Sequence, residues 1–208
     1  MDVAERLFAE EGFEAVSLRH ITAEAEANLA AVHYHFGSKE ALIVAVVQRW
    51  LRPLNAKRLQ LLDEVLKKAG QSGERPEVAQ IAEAFVRPPL ELYRKSEHSK
   101  RVIFRLLGRC MLETREDIST VLIQEFREVV DAFGAAFRQS LPGLSPQDVT
   151  MRMMFMAGAM AHTILNMDKL AAFHGRRMAE PSTESLVRQM VDFVSGGFAG
   201  LDGMGGNA

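Results

Sequence analysis

The chain has 208 residues, 48% of them hydrophobic and 25% charged, enough for one large or two small domains with a sizeable core. No stretch approaches the ~20 uninterrupted apolar residues of a membrane helix, and the opening MDVAERLFAEEGF places acids where a signal peptide carries an apolar run, so the expected location is the cytoplasm. A single cysteine, Cys110, excludes an intrachain disulfide and a cysteine-built zinc cage, and a net charge of −2 gives no general hint of a nucleic-acid partner.

Apolar residues recur at intervals of three and four through almost every segment, and no alternating β-branched run occurs, which predicts an all-α fold. In chain order, the spacing predicts a first helix over Asp2 to Glu11, with Ala4, Leu7 and Phe8 on one stripe and Gly12 as its stop. Ser17 can cap a short second helix, LRHITAEA, and Asn28 a short third, LAAVHYHF. Ser38 can cap a fourth that begins KEALIVAVVQRWL, after Gly37 permits a sharp reversal. Pro53 removes a backbone donor and crowds the carbonyl of Arg49, so this helix should kink or restart there. GQSGERP, over 70–76, reads as a loop. Five further helical segments follow, one of them interrupted at Pro88 and Pro89, and the glycine-rich tail over 201–208 reads as frayed. About nine helices result. The expected division is a head over 1–50, a body over 51–200 and that tail.

A short helix, a tight turn and a second short helix between longer ones is the layout of a helix-turn-helix, whose second helix enters the DNA major groove. Placed on a wheel at ~100° per residue, Val32 and Phe36 define the buried side of the third helix, while Ala30, Ala31, His33 and Tyr34 cover the outward arc. Small outward residues let the backbone approach a groove. Lys39 lies in the first turn of the fourth helix, where free N–H groups already favour a phosphate, which makes it a backbone clamp. His33 and His35 are ~200° apart on a helix, which rules against a shared metal ion. Nor does any serine, cysteine or acid stand at a spacing that suggests a catalytic triad, so no enzyme activity, cofactor or metal is expected. DNA binding has to rest on this geometry, because residues 1–58 hold seven Lys and Arg against eight Asp and Glu.

The run AERLFAEEGFEAVSLRHITAEAEANLAAVHYHFGSKEAL resembles the N-terminal DNA-binding domain of the TetR family of transcriptional regulators, in which LF-x-E-x-GF is followed by a helix and a Y-x-HF or Y-x-YF element. The resemblance covers about the first 55 residues. It implies that Ser17 and Arg19 touch phosphate or a base edge, that Leu29, Ala30, Ala31, His33 and Tyr34 occupy reading positions, and that His35 and Lys39 contact the DNA backbone. Thr22 faces the same side as a weaker candidate. Two departures stand out. Glu26 occupies a turn position that is usually glycine, where a positive φ would strain it by ~1 kcal/mol. The chain also starts abruptly at AERLF, as a truncated or mis-started chain would, and upstream residues would then add phosphate anchoring.

TetR-like proteins pair such a head with a helical body that dimerises and holds an effector, and two heads ~34–36 Å apart would meet successive major grooves of a palindromic operator. AGAMAHTIL and LVRQMVDFVSGGF, in the last two helices, suit dimerisation because they combine small residues with an apolar stripe. Seven of the eleven methionines lie within 151–178, as a core stripe or as an adaptable pocket lining. Phe85, Phe104, Leu107, Phe126, Phe155 and Met160 are further candidate linings. In KRVIFRLLGR, Arg101, Arg105 and Arg109 share one helix face, and either pair with neighbouring acids or form a cationic rim for a carboxylate or phosphate. IFRLLGR together with NLAAVHYHFGSKEALI also resembles the fatty-acid-responsive PsrA-type branch, which implies a fatty acid or acyl-CoA as effector. A homodimeric repressor released by such a ligand is the resulting expectation. Its rivals are a TetR-like regulator responding to drugs or aromatic compounds, and a helical lipid-binding module without DNA function.

Overall fold

The computed structural model describes residues 1–95, 97, 102–111, 116–173 and 181–199. All the regular structure among them is helical, in nine α-helices. The helices are α1 (Asp2–Glu11), α2 (Leu18–Glu24), α3 (Leu29–Phe36), α4 (Lys39–Ser72), α5 (Val78–Lys95), α6 (Phe104–Met111), α7 (Glu116–Ser140), α8 (Pro146–Phe173) and α9 (Thr183–Ala199). Their packing separates two compact units, one formed by 1–54 with 93–127 and the other by 55–92 with 128–208. The division falls inside α4, one residue after Pro53.

Local chemistry explains the short helices of the first unit. Ser17 accepts the His20 N–H at 3.1 Å, Asn28 accepts the Ala30 N–H at 2.8 Å, and Ser38 accepts the Ala41 N–H at 3.1 Å. Each bond satisfies one of the donors that a helix start leaves open. Gly12, at φ 95°, ends α1 by returning its N–H to the Phe8 carbonyl. The core beneath combines Leu7, Phe8 and Phe13 with Ile21 of α2 and Leu42, Ile43 and Val46 of α4. Val102, Leu106, Cys110 and Ile118 complete the same cluster, so the head's core draws on chain far beyond the expected boundary at 50.

Polar ties inside this unit fix α1 and α7 against α4. Trp50 Nε1 donates to Glu5 Oε2 at 2.7 Å, and Glu5 is almost fully buried. Arg52 and Gln48 both bond the Glu125 carboxylate, at 3.0 and 2.6 Å. The Arg52 hydrogen bond is the main reason that the Glu125 carboxyl is held below its ordinary value.

In the second unit, Phe85 meets Phe133 edge-on at 5.3 Å and Phe137 stacks on Phe198 at 4.2 Å. Val149, Met153, Met156, Met160, Ile164 and Met167 form the buried stripe of α8, which places four of its methionines in the core and leaves Met151 and Met154 exposed. Arg87 joins α5 to α9 through Glu184 at 2.8 Å.

The restart considered at Pro53 and the interruption expected at Pro88 and Pro89 do not occur. α4 runs through Pro53 without restarting, and α5 runs through Pro88 and Pro89. Pro53 is exposed, so water can serve the carbonyl of Arg49 that it frees. Pro88 and Pro89 are buried, and Pro89 withholds the N–H that would have bonded the Phe85 carbonyl. Arg58 supplies the replacement, Nε to Phe85 O at 3.0 Å.

Two outcomes test these ties. Trp50→Phe should destabilise the protein by about 1–3 kcal/mol in chemical denaturation, because it strips a buried carboxylate of a donor. Glu125 has a folded pKa depressed from its ordinary 4.5. Its contribution is therefore complete above that value and is lost as pH falls through the lower folded one. Glu125→Gln should lower the melting temperature at pH 7, and the difference from wild type should shrink on acidification below pH ~4.

Candidate nucleic-acid interface

The helix-turn-helix is α2 and α3, joined by residues 25–28. Its turn depends on Glu26, the one non-glycine residue with positive φ among those described, at 48°. The left-handed conformation lets Ala27 N–H reach the Thr22 carbonyl at 2.9 Å while Ala25 N–H bonds the Ile21 carbonyl at 2.9 Å. The turn thus keeps the geometry normally given to glycine and carries the strain of a side chain there.

α3 contains no buried residue. Val32 and Phe36 pack partly buried against the head core, and Leu29 is half-buried. Ala30, Ala31, His33, Tyr34 and His35 are exposed, with Tyr34 at 87%. The Tyr34 ring lies edge-on to His35 at 5.4 Å, and His33 Nδ1 lies 3.1 Å from the Gly37 carbonyl oxygen, which helps close the end of α3. Ser17 and Arg19 are exposed at the start of α2. Lys39 is half-buried in the first turn of α4, and its Nζ donates to the Glu14 carbonyl at 3.4 Å. Among the described residues no group of three or more His, Cys, Asp or Glu could hold a metal ion.

Thr22 is placed otherwise than expected. It is 6% exposed and its hydroxyl donates to the Arg19 carbonyl at 3.1 Å, so it supports α2 from inside instead of facing DNA. The acids around the motif are largely occupied. Arg6 bridges Glu10 and Glu24, the latter interaction being the chief cause of its raised pKa, and His20 lies 3.8 Å from Glu11 and 3.6 Å from Glu24. That leaves α3 itself free of carboxylates.

The residues expected to meet an effector are not brought together in one unit. Arg101 lies outside the described residues, and Arg105 is exposed. Arg109 is turned toward the end of α1, with Nε donating to the Ala9 carbonyl at 3.2 Å and Nη2 to the Glu10 carbonyl at 3.0 Å, and it forms no ion pair with an acid among the described residues. Phe104 is buried edge-on to Tyr93 at 5.5 Å in the first unit, whereas Met160 is buried in the second. Sequence reasoning missed Arg58, although its place in the apolar stripe Leu51, Leu54, Leu62 was a readable signal.

Two capped short helices with an exposed second member, built on a longer helical body, define a helix-turn-helix transcriptional regulator. Residues 1–46 match the family described as bacterial regulatory proteins, tetR family, and residues 83–197 match the tetracyclin repressor-like C-terminal domain. The chain belongs to the TetR family. No curated protein sequence matches it. Solved structures share its fold at low identity. A putative transcriptional regulator from Pseudomonas aeruginosa PAO1 is 15% identical, with 98% of this chain and 88% of that one covered and a TM-score of 0.68. The fatty acid degradation regulator FadR from Bacillus halodurans is 12% identical, with 94% and 96% covered and a TM-score of 0.67. The ketosteroid regulator KstR2 of Mycobacterium tuberculosis is 16% identical, with 94% and 91% covered and a TM-score of 0.60. No helix among the described residues is long and apolar enough to cross a membrane.

Glu26→Gly should stabilise the protein by ~1 kcal/mol in denaturant unfolding by relieving the left-handed residue. Lys39→Ala should lower the slope of log affinity for DNA against log salt by about one, and Tyr34→Ala should weaken binding with little change in that slope.

Proposed function

We propose that the protein is a homodimeric repressor that binds a palindromic operator in the cytoplasm and leaves it when a small apolar or acidic effector, such as a fatty acid or acyl-CoA, is bound. The observation that carries the DNA-binding part is α3, with no buried residue and an outward face of Ala30, Ala31, His33 and Tyr34. Leu29 borders this reading face, Ser17, Arg19, His35 and Lys39 anchor phosphates at its margins, and the head over about 1–50 serves as the DNA-binding domain.

Dimerisation is supported by a second apolar face on α8. Met151, Met154, Phe155 and Leu165 are exposed around Gly158, and Phe193 of α9 is 70% exposed. A stripe of that kind requires a partner, and a twofold pairing of α8 and α9 would cover it with a second copy of itself. Effector action is supported by the methionine-rich core of the second unit, which can repack around an aliphatic guest. FadR, which shares the fold, is by its name a regulator of fatty acid degradation. Binding would favour a state whose two recognition helices no longer match the operator spacing.

A mobility shift on the promoter regions beside the protein's own gene, with and without fatty acids, acyl-CoA and planar cations, tests this reading. A salt-sensitive, sequence-selective band released by the lipids is expected. Release by planar cations alone would favour a drug-responsive regulator, and absence of any selective band would leave a lipid-binding module and sink the repressor. Phe155→Glu combined with Phe193→Glu should give a monomer by sedimentation, with normal helix content and at least a tenfold loss of operator affinity, because charge is placed in the twofold contact.

A further inference from the structure

The second unit holds a buried cation that the reading above leaves unused. Arg58 is 2% exposed, in the apolar stripe of α4. Its Nε donates to Phe85 O at 3.0 Å, Nη1 donates to Asn55 Oδ1 at 3.2 Å, Nη2 lies 3.8 Å from Met160 Sδ, and its guanidinium carbon sits 4.1 Å from the centre of the Phe85 ring. The first bond answers the carbonyl left open by Pro89. The others do not neutralise the charge.

A guanidinium offers five N–H donors in a planar fork that fits a carboxylate. Here three are directed at neutral acceptors, one of them a thioether, and no described carboxylate pairs with the group. Burial pushes its pKa down to about 9, so it stays cationic at neutral pH. A charge of this kind is costly unless an anion joins it. Three helices meet there, α4 through Asn55 and Arg58, α5 through Phe85 and α8 through Met160. Met153 and Met156 continue the buried surface along α8. A separate open groove of about 250 Å³ follows the α4–α5 seam farther along; Leu61, Val65, Gln80 and Ala84 line it together with two acids and two bases, and Arg58 is not part of its lining. Leu61 and Val65 stand three and seven residues beyond Arg58, on the same face of α4.

We propose that the junction of α4, α5 and α8 is the effector site, where Arg58 receives the carboxylate of an apolar monocarboxylic acid and the adaptable side chains of Met153, Met156 and Met160 take up its chain. This rests on the reading of the protein as an effector-released regulator, and it selects the free acid over the acyl-CoA. One buried fork matches one carboxylate. A thioester has none, and the several phosphate charges of the coenzyme would outnumber the single cation. The carboxylate would replace Met160 Sδ and the Asn55 carbonyl oxygen as acceptors, leaving Nε on Phe85 O.

The test uses the full chain with dodecanoate, dodecanol and dodecanoyl-CoA, read by calorimetry and by thermal shift, with operator binding followed in parallel. Wild type should prefer the acid to the alcohol and to the thioester by about tenfold or more. Arg58→Met should lose that preference while still binding the alcohol, and Arg58→Lys, which keeps the charge without the fork, should retain part of it. Equal affinity of wild type for acid and alcohol, no binding of the acid, or an undiminished acid preference in Arg58→Met would each overturn the site and leave Arg58 as a clasp for the Phe85 carbonyl. Should Arg58→Met fail to fold, the wild-type and Arg58→Lys comparison decides alone. Acid binding that needs Arg58 but never releases DNA would keep the site and refute effector release. Release by the acid from Arg58→Met and wild type alike would refute the site and keep the release.

Discussion

The guanidinium of Arg109 lies across the final carbonyls of α1, and the organisation of the first unit depends on it. Those carbonyls have no N–H partners within their own helix and carry the negative end of its dipole, so a cation there is favoured twice. The contact also requires Gly12. A Cβ at that position would come within 2.7 Å of Arg109 Nη1, and φ 95° already disfavours a side chain. Through this pair α6, about a hundred residues away in sequence, becomes part of the head. Val102, Leu106 and Cys110 then fill out a core that α1 to α3 and the start of α4 could not complete alone. A movement of α6 would therefore reach α1 directly. α4, α5 and α7 each begin in one unit and end in the other, so the chain crosses between the units within three continuous helices.

The head's unfavourable charge balance has a structural resolution. Arg6 holds Glu10 and Glu24, and Arg49 holds Asp2, so these carboxylates are occupied within the head. α3 bears no carboxylate and presents small residues, a tyrosine and two histidines. Such a face suits close backbone approach and a few well-placed contacts better than attraction through a broad positive field. Glu26 is the exception, since its charge is exposed and its backbone is strained at the turn that aims α3.

The second unit shows how proline can specify a polar site. Pro89 leaves the Phe85 carbonyl without a helical donor in a region closed to water, and Arg58 fills the gap. Satisfying that carbonyl brings a full charge into the core, beside a phenylalanine ring and a thioether, and thereby creates the need for an anion. The same prolines leave the helix unbroken because packing on both sides holds it. The exposed Pro53 leaves it unbroken for a different reason, namely that water can replace the lost bond.

Much of this was readable in one dimension. Helical periodicity, the caps Ser17, Asn28 and Ser38, the stop at Gly12 and the outward arc of α3 all follow from interactions within a turn or two, and the resemblance of the first 55 residues to the TetR head rests on that same local pattern. The strained turn at Glu26 was legible for the same reason. Tertiary structure alone decided that Thr22 turns inward, that Arg109 reaches the last carbonyls of α1, that Phe104 and Met160 belong to different units, and that Arg58 is buried with no acid among the described residues beside it. Each of these depends on which atoms from distant parts of the chain compete for one donor or one volume, and spacing along the sequence carries no record of that competition.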